Sequence, residues 1–280
     1  MEPEFGSDGF GHANFGIGVS RMKRFGKSLG KLAAALCMAA MVLTACGGVT
    51  EEQLATRESA IAMMESGDYE GAVAAFNGLV KEAASVTEFE LDILKYRAEA
   101  EFLLEDYEAA LHTYRTLMEV DEERPEYCYM ASMALSKAGQ MHDAVLFLES
   151  GEALDKKLEA AGFFEATVAL AEGYEAGGNL DAAKGIYQEL IDGGRGNSDL
   201  YNRLMVMAMG EGNYEEALKM AAKGLILTDG LAVQELKFNE AVCYEYLGNF
   251  AKALELFRAY AAEFGSDERV EHEIAFLETR

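Results

Sequence analysis

The chain has 280 residues, of which half are apolar and only two are proline, so it can bury a substantial core and suits a nearly continuous helical array. Its 24 Lys and Arg residues stand against 49 Asp and Glu residues, which gives a formal net charge of −25. This charge disfavours nucleic acid as a partner, because phosphate binding depends on clustered Lys and Arg; we expect it to serve solubility, with attraction of a basic partner as the alternative.

Residues 1–21 match no part of an export signal. They are rich in glycine, their apolar residues are scattered, and they contain no basic cluster. We therefore expect natural translation to start at Met22, and we interpret residues 1–21 as a non-native or mis-started extension.

The segment 22–45 contains the parts of a signal peptide in the expected order. A basic start with four Lys and Arg residues is followed by an apolar stretch over 32–43 and then by small residues before Cys46. The stretch is too short for a membrane-spanning helix, which needs about twenty residues. It has the length of the apolar region of an export signal.

Leu43, Thr44, Ala45 and Cys46 close this segment, and they resemble the lipobox of bacterial lipoprotein precursors residue for residue. The resemblance implies cleavage before Cys46, a diacylglycerol on its sulfur and a further acyl chain on its new amino group. Because two or more acyl chains hold a protein firmly on a membrane, it also implies an extracytoplasmic protein that is lipid-anchored to the membrane, with residues 46–52 as a flexible tether. The alternative is an apolar stretch that ends in Cys by chance.

A short pattern then occurs six times: a turn residue, a polar residue and a bulky apolar residue, with Ala three positions further on. The copies are Gly67-Asp68-Tyr69 with Ala72, Glu105-Asp106-Tyr107 with Ala110, Gly139-Gln140-Met141 with Ala144, Gly178-Asn179-Leu180 with Ala183, Gly212-Asn213-Tyr214 with Ala217, and Gly248-Asn249-Phe250 with Ala253. The alanines are spaced by 38, 34, 39, 34 and 36 residues. A period near 34 is typical of stacked helical hairpins.

The fifth copy shows how each unit is expected to fold. Apolar residues at intervals of three and four predict one helix face, namely Tyr201, Leu204, Met205 and Ala208. Gly212 breaks this helix, and Asn213 can cap the next one by accepting a backbone N–H. Ala217 is expected where the two helices cross, because a larger side chain would push their axes apart.

Over residues 53–264 the pattern resembles the tetratricopeptide repeat (TPR) family. The resemblance implies an all-α fold, a right-handed α-solenoid of about six TPR helical hairpins. Three positions depart from the family pattern. Glu105 replaces the turn glycine, Ser132 stands where a small first-helix residue is expected, and Ala221 stands where a large aromatic residue is usual.

Residues 265–280 are predicted to form a capping helix for the open end of the array. Ser266 is its expected N-cap residue, and its apolar face is predicted to consist of Val270, Ile274 and Leu277. Two of the spacings exceed 34 by four and five residues, which is close to one helical turn. These insertions predict longer second helices around residues 81–85 and 156–160.

The sequence contains no catalytic or metal-binding pattern. His112, His142 and His272 lie in different units, and none stands at a ligand spacing from another His or Cys. Cys128 and Cys243 are interpreted as small buried apolar residues. We therefore expect no enzyme activity, no cofactor and no metal, with an unusual catalytic site as the alternative.

The family resemblance also implies where a partner binds, because in TPR arrays the first helix of each pair lines the concave surface. The inward positions that helix packing does not require are Arg57, Lys95, Tyr96, Glu99, Tyr129, Met133, Glu172, Asn202, Arg203, Phe238, Asn239, Val242 and Tyr246. Tyr and Arg are residue types that concentrate binding energy. The alternative is that the aromatic residues and Met133 fill gaps between the helices.

The leading interpretation is a non-enzymatic scaffold or adaptor lipoprotein that mediates protein–protein interactions at the cell envelope. Its partner would be a protein or an extended peptide in the concave groove, and the resemblance suggests pilus, secretion or outer-wall assembly. A peptide- or ligand-binding lipoprotein is the second interpretation, and an enzyme or enzyme subunit is the third. Saturable binding of a soluble ligand by the purified protein would separate the second interpretation from the first.

Overall fold

The structure is a computed structural model, and it describes residues 49–80, 86–121 and 124–280. The predicted extension, the signal peptide, the lipobox and Cys46 lie outside these residues, as does the segment 81–85. Over the described ranges every regular element is a helix, which confirms the predicted all-α class. None of these helices is both long enough and apolar enough to traverse a bilayer.

Thirteen α-helices in this part of the chain form six consecutive hairpins and one final helix. The first helices of the hairpins are α1 (Glu51–Ser66), α3 (Glu88–Leu103), α5 (Pro125–Lys137), α7 (Phe163–Ala176), α9 (Ser198–Gly210) and α11 (Val233–Tyr246). The second helices are α2 (Tyr69–Leu79), α4 (Tyr107–Val120), α6 (Met141–Leu154), α8 (Leu180–Leu190), α10 (Tyr214–Leu225) and α12 (Phe250–Phe264). The final helix, α13, covers Glu268–Leu277. The six predicted hairpins and the capping helix are thus confirmed.

The polar residue of the repeated pattern is the N-cap of the second helix. In five of the hairpins its side chain accepts a hydrogen bond from the backbone N–H three residues later, at Asp68, Asp106, Asn179, Asn213 and Asn249. A side-chain acceptor at this position satisfies a backbone donor that the helix itself leaves unpaired. The cap predicted at Asn213 is confirmed.

The alanine of the pattern is buried in every hairpin. All six alanines are completely buried, namely Ala72, Ala110, Ala144, Ala183, Ala217 and Ala253. A methyl group is the largest side chain that leaves the helix axes close together. In the first and last hairpins the alanine packs in a core that contains an alanine of the first helix, Ala60 and Ala241, which agrees with the predicted close approach of the two helices.

The turn residue of the pattern adopts a left-handed backbone. Gly67 has a φ of +86° and Gly212 a φ of +73°, a region that glycine enters without steric cost. Glu105 occupies the same position in the second hairpin with a φ of +64°. The departure from glycine in that hairpin thus leaves the turn conformation intact but strains it.

The described residues fall into two compact units. The first contains residues up to Ala138 together with Leu146–Phe163, and the second contains Gly139–Val145 together with Phe164–Arg280. In the first unit, the core around Ala60 and Phe76 continues into α3 through Ile93.

In the second unit, part of the core lies between the last hairpin and the final helix. Ala241 of α11 and Phe257 of α12 pack with Leu277 of α13, and all three are buried. The final helix therefore covers the apolar end of the last hairpin, which is the role predicted for it.

The five-residue insertion does not lengthen a helix, so that prediction is wrong. Helix α6 ends at Leu154, and residues 155–162 form a loop. Asp155 holds this loop, because its Oδ2 accepts a hydrogen bond of 2.8 Å from the backbone N–H of Ala160. Leu158 enters the left-handed region with a φ of +56°, a conformation that no helix contains. The segment predicted for the other insertion, 81–85, lies outside the described residues.

The cap of the final helix is one residue away from the predicted position. Asp267 is the N-cap of α13, and its Oδ1 accepts a hydrogen bond of 2.9 Å from the backbone N–H of Val270. Ser266 instead donates from its hydroxyl to Glu271 at 3.1 Å. Both residues are capable caps, and the carboxylate adds a favourable charge at the helix N-terminus.

Candidate partner-binding surface

All thirteen residues predicted to line the groove lie on first helices, between α1 and α11. Several of them contact the neighbouring first helix of the same unit. Arg57 reaches from α1 to α3, and Asn239 reaches from α11 to Asn202 of α9. We call the surface formed by the first helices within each unit the first-helix face.

In the first unit, Arg57 connects two first helices. Its Nε lies 2.6 Å from Oδ2 of Asp92, which is buried. The guanidinium also lies over the ring of Tyr96, 5.0 Å from the ring centre, and Tyr96 stacks on Phe76 at 6.0 Å. Arg57 is thus held by a charge-assisted hydrogen bond and a cation–π contact, which fix it as an inter-helix link.

Asp121, directly after α4, lies beside two cations and accepts one hydrogen bond in the first unit. Lys95 Nζ lies 3.5 Å and Arg124 Nε 3.3 Å from its Oδ2. The hydroxyl of Tyr127 donates to the same oxygen at 2.5 Å. Lys95 is therefore ion-paired within the protein, and it shares the carboxylate of Asp121 with Arg124.

Glu99 has no such partner. Only 5% of the residue is exposed, and it makes no hydrogen bond or ion pair within the described part of the chain. Burial raises the pKa of its carboxyl from 4.5 to about 8, because the charged form loses its hydration. The nearby hydroxyl of Tyr114 is also buried, and this burial raises its pKa well above the ordinary value.

Two of the thirteen residues are core side chains instead of partner-facing ones. Tyr129 and Met133 are completely buried, so they leave no surface for a partner. The ring of Tyr129 meets Phe163 edge-on at 5.6 Å, and its hydroxyl donates to Asp155 at 3.3 Å. The prediction placed them on the concave surface because helical spacing does not report what covers a side chain. The gap-filling alternative describes both residues.

In the second unit, Arg203 is surrounded by acceptors. Its Nη2 donates to Glu172, its Nη1 lies 3.1 Å from Glu175, and its Nε lies 3.3 Å from Asp199. Nη1 also donates to the hydroxyl of Tyr187 at 3.2 Å. Burial alone would lower the pKa of Arg203, but the carboxylates of Glu172 and Glu175 outweigh it and the pKa is raised. The guanidinium is engaged on all three nitrogens, so Arg203 links α7, α8 and α9.

Two asparagine side chains join another pair of first helices in the second unit. Nδ2 of Asn239 donates to Oδ1 of Asn202 at 3.1 Å, which joins α11 to α9. Phe238, the residue before Asn239, packs edge-on against Phe257 at 5.4 Å. The guanidinium of Arg269 from α13 covers the ring of Phe238 at 3.9 Å, so this aromatic ring is part of the packing of the final helix. Its neighbour one turn later, Val242, is half-buried against the same core.

Tyr246 is the most exposed of the thirteen predicted groove residues, and 61% of its surface is accessible. Its ring stacks on Tyr214 at 4.7 Å with an interplanar angle of 13°. The stack joins the end of α11 to the start of α10. It leaves aromatic surface available to a partner.

Several buried polar residues were missed by the sequence analysis. Arg97 donates from Nη2 to the hydroxyl of Thr113 at 3.0 Å, and Thr113 donates to Glu101 at 2.6 Å. Burial raises the pKa of Glu101, although the hydrogen bond from Thr113 opposes this. Asp92 was also missed, although it stands seven residues before Glu99 and therefore on the same face of α3. That spacing was the available signal.

The next feature is the arrangement of the potential metal-binding and nucleophilic side chains. The described residues contain no group of three or more His, Cys, Asp or Glu side chains arranged to hold a metal ion. Cys128 and Cys243 are buried and are not joined to each other or to another cysteine of the described chain. Burial raises the pKa of the Cys243 thiol to about 12, so it is not a nucleophilic thiolate at neutral pH.

The sequence model of the tetratricopeptide repeat family matches residues 236–266, which contain most of α11 and all of α12. No curated protein matches the sequence significantly. Among solved structures, a tetratricopeptide repeat protein from Parabacteroides merdae ATCC 43184 is 15% identical, with 92% of this chain and 96% of that chain covered and a TM-score of 0.53.

Two further structures share the fold. PilW, a widely conserved type IV pilus biogenesis factor, is 15% identical, with 82% of this chain and 100% of that chain covered and a TM-score of 0.56. The apo form of the quorum sensor NprR from B. thuringiensis is 14% identical, with 92% and 77% covered and a TM-score of 0.55. The repeated hairpins, their capped turns and buried alanines agree with these comparisons, and the chain has the tetratricopeptide repeat fold.

Proposed function

We propose that this chain is a non-enzymatic scaffold or adaptor that binds a protein partner on its first-helix face and is held at the cell envelope by lipid on Cys46. The observation that carries the proposal is the linkage of successive first helices by polar side chains. Arg57 connects to Asp92 in the first unit, and Arg203 connects to Glu172 in the second. These links hold the first-helix face of each unit in a fixed arrangement, which lowers the cost of ordering it on binding.

The groups exposed on this face suit a protein partner. Tyr246 presents an aromatic ring, and Glu172 and Asn239 are only half-buried and carry oxygen acceptors. Helical repeat arrays in general bind partners along the surface that such helices line. Aromatic and hydrogen-bonding groups at fixed positions are the features that concentrate binding energy at interfaces.

The envelope location is supported by the sequence around Cys46. A basic start, a short apolar stretch and the lipobox Leu43, Thr44, Ala45 and Cys46 follow one another in the order of a lipoprotein signal. PilW, a pilus biogenesis factor, has the same fold. We therefore propose an assembly role outside the cytoplasmic membrane.

Crosslinking in intact cells tests the proposed partner. A photoreactive phenylalanine analogue would be placed at Tyr246 and Asn239 on the first-helix face, and at exposed Ala259 of α12 as the control position. We expect a protein to be captured from Tyr246 and Asn239 but not from Ala259. Capture of nothing at either face position would overturn the scaffold proposal. Saturable binding of a soluble peptide without any captured protein would instead support the peptide- or ligand-binding alternative.

The lipid anchor needs its own test. Replacement Cys46→Ser removes the acylated sulfur, so we expect the full chain to leave the membrane fraction of the cells. Mass spectrometry of the wild-type protein should show acyl chains on Cys46 and no residues before it. Retention of the Cys46→Ser variant in the membrane fraction would remove the anchoring proposal and leave the partner proposal to the crosslinking result.

A further inference from the structure

Three charged residues form a stripe along α3 in the first unit. Asp92, Lys95 and Glu99 are separated by three and four residues, so they lie on one face of the helix. Asp92 is paired with Arg57 of α1, and Lys95 is paired with Asp121 after α4. Each of these two partners comes from outside α3. Glu99, the third residue of the stripe, lacks one within the described part of the chain.

Arg57 of α1 and Arg97 of α3 are each engaged with another carboxylate. Arg57 lies 2.6 Å from Asp92, and Arg97 lies 3.4 Å from Glu101. Glu99 stands eleven residues before the fixed alanine of its hairpin. The equivalent residue is Ile61 in the preceding hairpin and Met133 in the following one. Equivalent positions in the neighbouring hairpins of this unit therefore bring no positive charge to Glu99.

A buried carboxyl without a partner is costly. Ionised groups are almost always paired when they are removed from water, and an exception in a folded protein calls for an explanation. Here the cost shows as the raised pKa of Glu99, about 8, whose only cause is burial. A neutral residue at position 99 would avoid this cost, which points to a role for the carboxyl as a binding group whose counter-charge arrives with a partner.

We propose that Glu99 binds the ammonium group of a lysine side chain in an extended segment of a protein partner. This inference rests on the proposed function, because it assigns the partner one chemical feature. Lysine carries a compact charge on a flexible four-carbon chain, which can reach a carboxyl that is only 5% exposed. A planar guanidinium needs both oxygens of a more open carboxylate. The net charge of −25 favours the approach of a basic segment.

The test follows the Glu99 carboxyl by carbon-13 NMR in the full chain, with Nα-acetyl-lysine methylamide as the probe. A bound ammonium favours the ionised form, so we expect the probe to lower the pKa of Glu99 from about 8 towards 4.5. Calorimetric affinity for the probe should fall at least tenfold in Glu99→Gln. The matched control is Glu88→Gln, an exposed residue of the same helix, which should bind the probe as the wild type does.

An unchanged Glu99 pKa at saturating probe would overturn the inference, and this wild-type measurement does not depend on how the variant folds. Equal binding of the arginine counterpart of the probe would overturn the assignment to lysine. Tighter binding of free 1,4-diaminobutane than of the lysine probe would overturn the assignment to a protein segment. The crosslinking result stands apart: a partner that is still captured with Glu99→Gln leaves the proposed function intact and removes only this inference.

Discussion

Arg203 of α9 and Glu175 of α7 meet at 3.1 Å between Nη1 and Oε2, and this contact joins the fourth hairpin to the fifth. The Arg203 side chain is 9% exposed, so its charge is satisfied by the protein and not by water. Glu172 and Asp199 engage its other nitrogens. An arginine that looks like a binding residue in the sequence is thus a link within the array.

Replacement Arg203→Met is expected to destabilise the second unit. It would leave three half-buried carboxylates without their shared counter-charge. Breaking a fully buried ion pair costs roughly 3–5 kcal/mol of stability. We expect a loss of about 2 kcal/mol here, because the side chains that carry the carboxylates are 20–27% exposed to water. Denaturant unfolding followed by circular dichroism measures this loss.

The control for Arg203 is Lys184→Met, which removes an exposed ion pair of 3.2 Å with Glu211. Exposed pairs contribute less than about 1 kcal/mol, so this variant should unfold close to the wild type. If Arg203→Met keeps wild-type stability but loses the crosslinked partner, Arg203 is a partner-binding residue after all.

Replacement Glu105→Gly is expected to stabilise the second hairpin. Glu105 is held at a φ of +64°, which costs a side-chain-bearing residue about 1–2 kcal/mol, whereas glycine adopts it freely. The greater entropy of glycine in the unfolded chain offsets part of this gain, so we expect a net increase of about 0.5–1 kcal/mol. The opposite change at an equivalent turn, Gly139→Ala with a φ of +74°, should destabilise by a similar amount. Thermal unfolding gives the change in melting temperature of each variant. Changes of the same sign in the two variants would contradict the strain argument.

Replacement Gly151→Ala probes the packing of Tyr129. A Cβ at position 151 would lie 2.5 Å from Cε1 of the Tyr129 ring, and that ring is completely buried and fixed by Phe163. Overpacking of this kind costs about 1–3 kcal/mol. Gly185→Ala is the control, because a Cβ there meets nothing within 4 Å and alanine favours the helix by about 1 kcal/mol. Equal stability of the two variants would show that the Tyr129 ring can move.

The hairpins could be predicted from the sequence because their signals are local. Asn213 caps α10 and Ala217 is completely buried, and both features follow from a pattern of six residues. The surroundings of a side chain are not local. Tyr129 and Met133 have the spacing of surface residues, but the loop after α6 and the next helix bring Phe163 against Tyr129. A one-turn insertion likewise predicts a longer helix, but Asp155 uses the extra residues to close a loop.

The location of charge on the first-helix face was predictable in part. Arg57, Arg203 and Glu99 were selected because of their helical positions, and all three lie on first helices. Their pairing was not predictable, since the partners Asp92 and Glu175 belong to neighbouring helices at separations of 35 and 28 residues. Sequence spacing within one helix predicts which residues share a face of that helix. The ion-pair partners depend on how neighbouring helices are aligned, which spacing within one helix does not report.

The pH dependence of stability in the first unit should carry the signature of Glu99. Its pKa is about 8 in the folded protein and 4.5 ordinarily, so the folded state holds a proton that the unfolded state releases between these values. The free energy of unfolding should therefore fall as the pH rises from about 4.5 to 8, at up to ~1.4 kcal/mol per pH unit for this group. Glu99→Gln should abolish this fall and be the more stable protein by a few kcal/mol at pH 9, while the two proteins converge near pH 4.

Denaturant unfolding of both proteins between pH 4 and 9 measures this difference, and the subtraction removes the titration of all groups that they share. Glu245 provides the comparison, since burial and the neighbouring Glu273 raise its pKa to about 6. Glu245→Gln should therefore differ from the wild type over the narrower window from about 4.5 to 6. A difference between Glu99→Gln and the wild type that stayed constant from pH 4 to 9 would mean that the Glu99 carboxyl titrates normally, and burial would then cost it nothing. A difference that grew with pH only until about 8 would place the proton on Glu99 and show that its charge is what the folded unit resists.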